Sequence, residues 1–420
     1  MMSVGIESMN AFGGSAFLDV MALARHRQLD MKRFDNLLMT EKSVALPFED
    51  PITFGINAAR PLIDLLSEEE KGRIELLITC SESGIDFGKS ISTYIHHYLG
   101  LHRRCRLFEI KQACYSATAG LQMALNFILS QTAPGAKALV VATDVSRFIA
   151  TAGGEALTED WSYFEPSSGA GAVAMLVGED PKVFQVDVGA NGYYGYEVMD
   201  TCRPVPESES GNIDLSLMSY LTCCENAFLE YQRRVSAVDY QDTFQYLTFH
   251  TPFGGMVKGA HRMMMRKLMV ANRDDSEADF SQRVAPGLRY CQRVGNIMGG
   301  TVMLSLASTI DYGDFVTPKR VGCFSYGSGC CSEFYSGVVT ANGQEWQRQF
   351  DIQGMLDRRY QLSMEEYEEL FQGNRNVRFG TRNITLDPTM IAGVRPAWKD
   401  RPLLTLREIR EFHREYDWLT

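Results

Sequence analysis

The sequence predicts an α/β fold made of two related halves, on three observations. Short β-rich runs alternate with longer helical patterns along the 420 residues, the signature of a sheet with helices packed on its faces. A chain of that length exceeds what one small core serves, so either two domains or one large duplicated domain is expected. The third observation is an internal repeat. CYSATAGLQMALNFIL from Cys114 recurs as NIMGGTVMLSLASTI from Asn296, and KALVVATD from Lys137 recurs as KRVGCFSY from Lys319, both at a spacing of 182 positions (114 to 296, 137 to 319). A weaker echo sets Glu82, just past LLITC, against His250, at the end of YLTFH.

Taken in order, the clearest strands are IELLITC (74–80), CRLFEI (105–110), KALVVAT (137–143), GAVAMLVG (171–178), YLTFH (246–250) and RVGCFSYG (320–327). They are nearly continuous apolar runs, as strands covered on both faces should be. Helices are expected over SISTYIHHYLG (90–100), after Cys114, over LMSYLTCCENAFLEYQRR (217–234), over MVKGAHRMMMRKLMVANR (256–273) and after Asn296. Glycine and serine punctuate loops, as in GDFVTP near 313. If the halves pack about a pseudo-twofold axis, the helices beginning at Cys114 and Asn296 point their N-termini at a common centre. The loop ends bearing Glu82 and His250 then face the same place, and four polar groups converge.

Composition narrows the function. A formal net charge of −11 repels nucleic acid and anionic membrane surfaces. The ten cysteines contain no C-x-x-C pair, and several sit inside apolar runs, which is neither a zinc framework nor a small secreted scaffold. No signal-peptide pattern opens the chain and no run of ~18 apolar residues occurs, so a reduced, cytoplasmic protein is expected.

Four residue types then suggest a reaction. A cysteine at the first turn of a helix sits by unpaired N–H groups and the positive end of the dipole, and a nearby imidazolium adds to this; such settings lower a thiol from ~8.5 to roughly 3.5–7.5. The Cys114 N–H and a second N–H from the tight turn Tyr326-Gly327-Ser328-Gly329 would hold the oxyanion formed when the thiolate attacks a thioester. His250 and Asn296 can bind a substrate carbonyl, and Glu82 can exchange protons at carbon or at a developing alkoxide. Taken alone, Cys114 reads first as a packed core thiol, Glu82 in CSESG as a neighbour of a helix cap, His250 as a satisfied loop histidine and GSGCCSE as a structural turn. Their matched places in the repeat favour the chemical reading.

The motifs ELLITCSES, FEIKQACYSATAG, ATDVSRF, GAGAVAMLVG, FHTPFGGMVKGAH, RVGNIMGG and FSYGSGCCSEFYS together resemble 3-hydroxy-3-methylglutaryl-CoA synthase, a thiolase-superfamily condensing enzyme. More narrowly, the chain looks like the synthase homologues of bacterial polyketide clusters, including the bacillaene type, which install β-branches on carrier-bound intermediates. The resemblance implies a five-layered αβαβα thiolase-like fold, with a nucleophile-bearing half at 1–180 and a half at 181–420 carrying the His, the Asn and family-specific helical insertions. It implies Cys114 as acetyl acceptor, Glu82 as general acid/base and His250 as the group that binds the acceptor's β-keto oxygen. Asn296 and Ser328 would line the substrate site, together with Gly327, Lys258 and Phe148.

Several positions depart from the metabolic enzyme. Phe148 replaces the Tyr that ends ATD-x-x-R-Y, Gly254-Gly255 and only Lys258 stand where lysines are usual, Thr201-Cys202-Arg203-Pro204 replaces FWRP, and the loop at 153–171 is longer. Weakened contacts to CoA phosphates would suit substrates carried on the phosphopantetheine arms of acyl carrier proteins, donor and acceptor, with no metal or redox cofactor bound. Acidic carriers need a local basic patch; Lys32-Arg33, HRRCR (102–106) and KGAHRMMMRK (258–267) are candidates, each also readable as a solvated charged face. A homodimer is expected. The alternatives are a metabolic synthase using acetyl-CoA and acetoacetyl-CoA, and an inactive thiolase-like scaffold.

Overall fold

The computed structural model describes residues 2–146, 164–206, 208–374, 376–398 and 401–419. Among them, nine strands form one hydrogen-bonded sheet: β1 (Gly5–Phe12), β2 (Ile74–Cys80), β3 (Arg106–Ile110), β4 (Lys137–Val145), β5 (Ala170–Gly178), β6 (Phe184–Gly195), β7 (Tyr246–Phe249), β8 (Lys319–Gly327) and β9 (Cys331–Val339). Their order is β7-β8-β9-β6-β1-β5-β4-β2-β3. The sheet narrows at its middle, where β1 and β6 pair only through Gly5↔Gln185 and Ile6↔Phe184. On one side β2 runs parallel to β4, β4 antiparallel to β5 and β5 antiparallel to β1. On the other, β7 runs parallel to β8, β8 antiparallel to β9 and β9 antiparallel to β6. Lys137 and Lys319, matched by the repeat, open β4 and β8. Strand β3 extends the first side beyond this shared pattern.

Five helices complete the layers: α1 (Pro51–Asp64), α2 (Ser116–Leu129), α3 (Ile213–Arg234), α4 (Gly254–Leu268) and α5 (Gly300–Tyr312). Successive strand residues point to opposite faces. In β4, Ala138, Val140 and Ala142 pack with α2 and α5, while Leu139 and Val141 pack with α1. In β8, Val321 and Cys323 face the α2/α5 layer, and Phe324 and Tyr326 face α3 and α4. The layers are therefore α1, one side of the sheet, α2 with α5, the other side, then α3 with α4, as expected. Gly299, at the start of α5, lies against Ser116 and Ala117 at the start of α2, so the two central helices meet near their N-termini. Among the described residues no helix is long and apolar enough to cross a membrane.

Helix α4 explains one sequence departure. A Cβ built on Gly255 would stand 1.8 Å from the Asn36 carbonyl oxygen, and one on Gly254 would stand 2.8 Å from Leu38 Cβ. The 3₁₀ turn Asp35–Leu37 occupies the space a longer side chain needs, and Phe253 packs against the cluster of Phe34, Leu37 and Met39. Gly255→Ala is accordingly expected to lower stability by about 1–3 kcal/mol, the usual cost of overpacking, measured as a lower urea midpoint; an unchanged midpoint would mean the turn yields freely.

Candidate active site

The C-terminal end of β2 delivers Glu82, the turn before α2 delivers Cys114, the end of β7 delivers His250, the turn before α5 delivers Asn296, and the β8–β9 turn delivers Ser328. All five line one cleft of about 810 Å³. The convergence expected from the repeat is thus present.

The Cys114 thiol points to Glu82 Oε1, 3.7 Å away. Helix α2 begins at Ser116 rather than at Cys114. Ala113, at φ +43°, turns the chain sharply just before the cysteine, so Cys114 sits in a tight turn outside the helix. This changes the expected electrostatics. Burial, and after it the Glu82 carboxylate, pushes the thiol well above its ordinary value. Burial lowers the His250 imidazole to about 3, so no imidazolium is present to counter this. The expectation of a thiol pulled down by a helix end and a cationic histidine is therefore corrected: burial and the neighbouring carboxylate raise the thiol instead, and Glu82 Oε1 is the acceptor within reach of its proton.

Glu82 is held by its main chain. Its N–H donates to Asp144 Oδ1 at 2.9 Å, and Arg203 Nη1 donates to its carbonyl oxygen at 3.0 Å. Arg203 Nη2 also lies 3.9 Å from Glu82 Oε2 and forms an ion pair with Glu209. Asp144, buried at the end of β4, additionally accepts from the hydroxyls of Ser81 and Ser83 and from the Ser83 N–H. Burial pushes both the Glu82 and the Asp144 carboxyls upward, Arg203 opposing the rise in each case.

His250 is buried, with its main chain tied to the Phe324 carbonyl and the Tyr220 hydroxyl. Its Nδ1 has no hydrogen-bond partner among the described residues. Asn296 Oδ1 accepts from the Met298 N–H and the Thr301 hydroxyl, both at 3.0 Å, which among the described residues leaves its NH₂ as the end free for a ligand. The Ser328 turn is anchored by buried Asp200, which accepts from the Tyr326 hydroxyl and from the Gly329 N–H. The Thr201 hydroxyl donates to Ser328 Oγ at 2.7 Å.

Not every expected residue reaches the cleft. Gly327 packs behind it: a Cβ there would stand 2.6 Å from the Tyr115 nitrogen and 2.7 Å from the Gln112 oxygen, so its role is close approach to the Cys114 turn. Lys258 is a correction. Helical periodicity turns Met256, Val257, Ala260 and His261 inward, and the Lys258 ammonium faces out to Glu277 Oε2 at 2.6 Å. Arg262 and Lys267 are likewise paired, with Glu277 and Glu225, so two carboxylates, one of them shared with Lys258, offset part of the charge of that basic run. Phe148 lies outside the described residues, as does the loop of 153–171 up to residue 163. Lys32 is exposed in the short helix Met31–Phe34, which also carries Arg33 and leads into the 3₁₀ turn against α4. Sequence reasoning missed Asp144, Asp200 and Glu209 as site residues and named Arg203 only within the departure from FWRP. Asp144 was open to detection as a carboxylate closing an apolar strand; Asp200 and Glu209 carry no local signal.

Two family comparisons bear on this arrangement. Residues 2–182 match the hydroxymethylglutaryl-coenzyme A synthase N-terminal domain, and residues 264–391 match the C-terminal domain of the same enzyme. The chain belongs to the hydroxymethylglutaryl-CoA synthase family. Within it, the synthase is 71% identical, over all of both chains, to the polyketide biosynthesis 3-hydroxy-3-methylglutaryl-ACP synthase PksG of Bacillus subtilis. It is 32% identical to the hydroxymethylglutaryl-CoA synthase of Enterococcus faecalis, over 88% of this chain and 92% of that one. Its fold superposes with a TM-score of 0.96 on the HMG synthase of the curacin biosynthetic pathway solved in complex with holo donor-ACP, at 63% identity over 99% of this chain and 100% of the other.

Proposed function

We propose that this synthase adds an acetyl-derived carboxymethyl branch to the β-carbonyl of a β-ketoacyl group carried on an acyl carrier protein, within polyketide biosynthesis. What carries the reading is the 3.7 Å approach of Cys114 Sγ to Glu82 Oε1 in a cleft shared with His250, Asn296 and Ser328. Full-length similarity to PksG supports the carrier-bound acceptor.

Cys114 gives its proton to Glu82, and its sulfur attacks the acetyl thioester. The developing oxyanion sits by the Cys114 and Ser328 turns, and the pantetheine thiol leaves with a proton. Glu82 then takes a proton from the acetyl methyl, and the resulting enolate carbon attacks the acceptor's β-carbonyl carbon. Neutral His250 and the Asn296 NH₂ donate hydrogen bonds to that carbonyl oxygen, and the proton held by Glu82 goes to the new alkoxide. Water cleaves the Cys114 thioester, freeing the carboxylate and restoring the thiol. Both substrates are thioesters on phosphopantetheine arms. The same reading includes two halves at 1–180 and 181–420, a homodimer, a cytoplasmic location, and carrier docking at the Lys32-Arg33 segment beside α4.

The experiment is intact-mass analysis with acetyl-carrier protein and acetyl-CoA in competition, followed by a β-ketoacyl-carrier. The expected results are preferential loading from the carrier and an acceptor heavier by about 60 Da, the elements of acetic acid. Faster loading from CoA would turn the assignment to the metabolic reaction. His250→Ala is expected to load acetyl within about threefold of wild type but to condense on the order of 10²–10³-fold more slowly, read from the same two masses. Equal loss in both steps would show that His250 does not act on the acceptor alone.

A further inference from the structure

We propose that Glu333 is a positioning residue that holds Tyr115, and with it the nucleophile turn, in register with the Ser328 turn. The proposal rests on the reading of Cys114 as the acetyl acceptor.

Glu333 lies on β9, is fully buried and is absent from the cleft wall. Its Oε2 accepts from the Tyr115 hydroxyl at 2.7 Å, and its Oε1 accepts from Gln122 Nε2 at 2.8 Å and Asn191 Nδ2 at 3.2 Å. Burial pushes the carboxyl up to about 7, the hydrogen bonds and the more distant Arg234 opposing. A buried acid with no ion pair among the described residues is costly to hold. A glutamine would fill the same space with less desolvation, but it would bring two donors to a place already filled by three. What the acid alone offers is two acceptor oxygens that tie together the residue after the nucleophile, the body of α2 and strand β6.

The turn it grips has little to hold it internally. Within Gln112–Ser116 the main-chain bonds are Tyr115 N to Gln112 O at 3.1 Å and Ser116 N to Ala113 O at 3.2 Å, and Ala113 is in the left-handed region, which is strained for a residue with a Cβ. The β8–β9 hairpin supplies the missing support twice. Gly327 packs its backbone against Tyr115 and Gln112, and Glu333, paired with Ser325 across the hairpin, binds the Tyr115 hydroxyl. Ser328 sits at the tip of that same hairpin. One rigid element of the second half thus carries the oxyanion turn and clamps the nucleophile turn of the first.

The test measures the rate of Cys114 acetylation by quenched intact-mass analysis in Glu333→Gln, Tyr115→Phe, the double variant and Gln122→Ala, with thermal melts alongside. The expected result is a fall of about tenfold in the maximal acetylation rate for each of the first two, with the donor concentration for half-saturation within about twofold of wild type. The double variant should be no slower than the slower single, because the two residues act as one unit, and Gln122→Ala should stay within about twofold. Wild-type rates in Glu333→Gln, losses that multiply in the double variant, or an equal loss in Gln122→Ala would each overturn the positioning role. Should Glu333→Gln not fold, Tyr115→Phe decides the matter by the same criterion of rate. Absence of any adduct on the wild-type chain would remove the reading of Cys114 and the positioning role together, whereas normal wild-type loading with an unaltered Glu333→Gln removes the positioning role alone.

Discussion

Cys114→Ala is expected to abolish the acetyl-enzyme and to lower turnover on the order of 10⁴-fold or more, since the covalent route loses the sulfur that lies beside Glu82. The measurement is the adduct of about 42 Da after incubation with acetyl-carrier protein, together with formation of the branched acceptor. The sharp control is Cys202, which also lines the cleft and is also partly exposed. Chemical access alone therefore does not select Cys114. Position does: its sulfur lies 3.7 Å from a carboxylate that can accept its proton. Cys202→Ala should load acetyl as wild type does. An adduct that persists in Cys114→Ala and disappears in Cys202→Ala would reverse the assignment.

The part of the fold legible in the sequence is the part built from strands buried on both faces. Runs such as IELLITC and KALVVAT are nearly continuously apolar because helices cover both sides, and their ends fall within two residues of β2 and β4. Strand β1, GIESMNAF, is just as buried yet does not read as a strand, because Glu7, Ser8 and Asn10 interrupt it. Those groups are satisfied tertiary partners: Asn10 donates to the Ala58 carbonyl, Ser8 accepts from Trp346, and Glu7 pairs with Lys137. No local pattern announces such pairings.

The candidate site was legible to the extent that the repeat made it so. A duplicated unit places the ends of matched elements together, which suffices to gather Glu82, Cys114, His250 and Asn296. The electrostatics were not legible, because they depend on a backbone detail two residues long. The sharp turn at Ala113 moves the start of α2 beyond the cysteine, and burial then governs the thiol and the imidazole. The supporting polar groups were hidden by sequence distance: Glu333 reaches Tyr115 across 218 positions, and Asp144 reaches Glu82 across 62.

Glu82→Gln is the second large effect, and it separates the two halves of the reaction. Glutamine keeps the shape and leaves the main-chain anchors to Asp144 and Arg203 intact, but it cannot accept a proton at the required strength. Acetylation of Cys114 should still reach completion, about tenfold more slowly, because the thiol loses its nearest base. Condensation should fall by on the order of 10³–10⁴-fold. In deuterium oxide, the wild-type acetyl-enzyme should gain up to about 3 Da at its methyl group as Glu82 exchanges protons there, and the Glu82→Gln adduct should gain none. The pH dependence follows from the sign of the shift. The base acts when ionised, and burial raises the Glu82 carboxyl, so wild-type exchange should fail as pH drops through a value above the ~4.3 of an exposed glutamate. Exchange at the wild-type rate in Glu82→Gln would place the base elsewhere. Glu209, a second carboxylate on the cleft wall that shares Arg203 with Glu82, would then be a candidate.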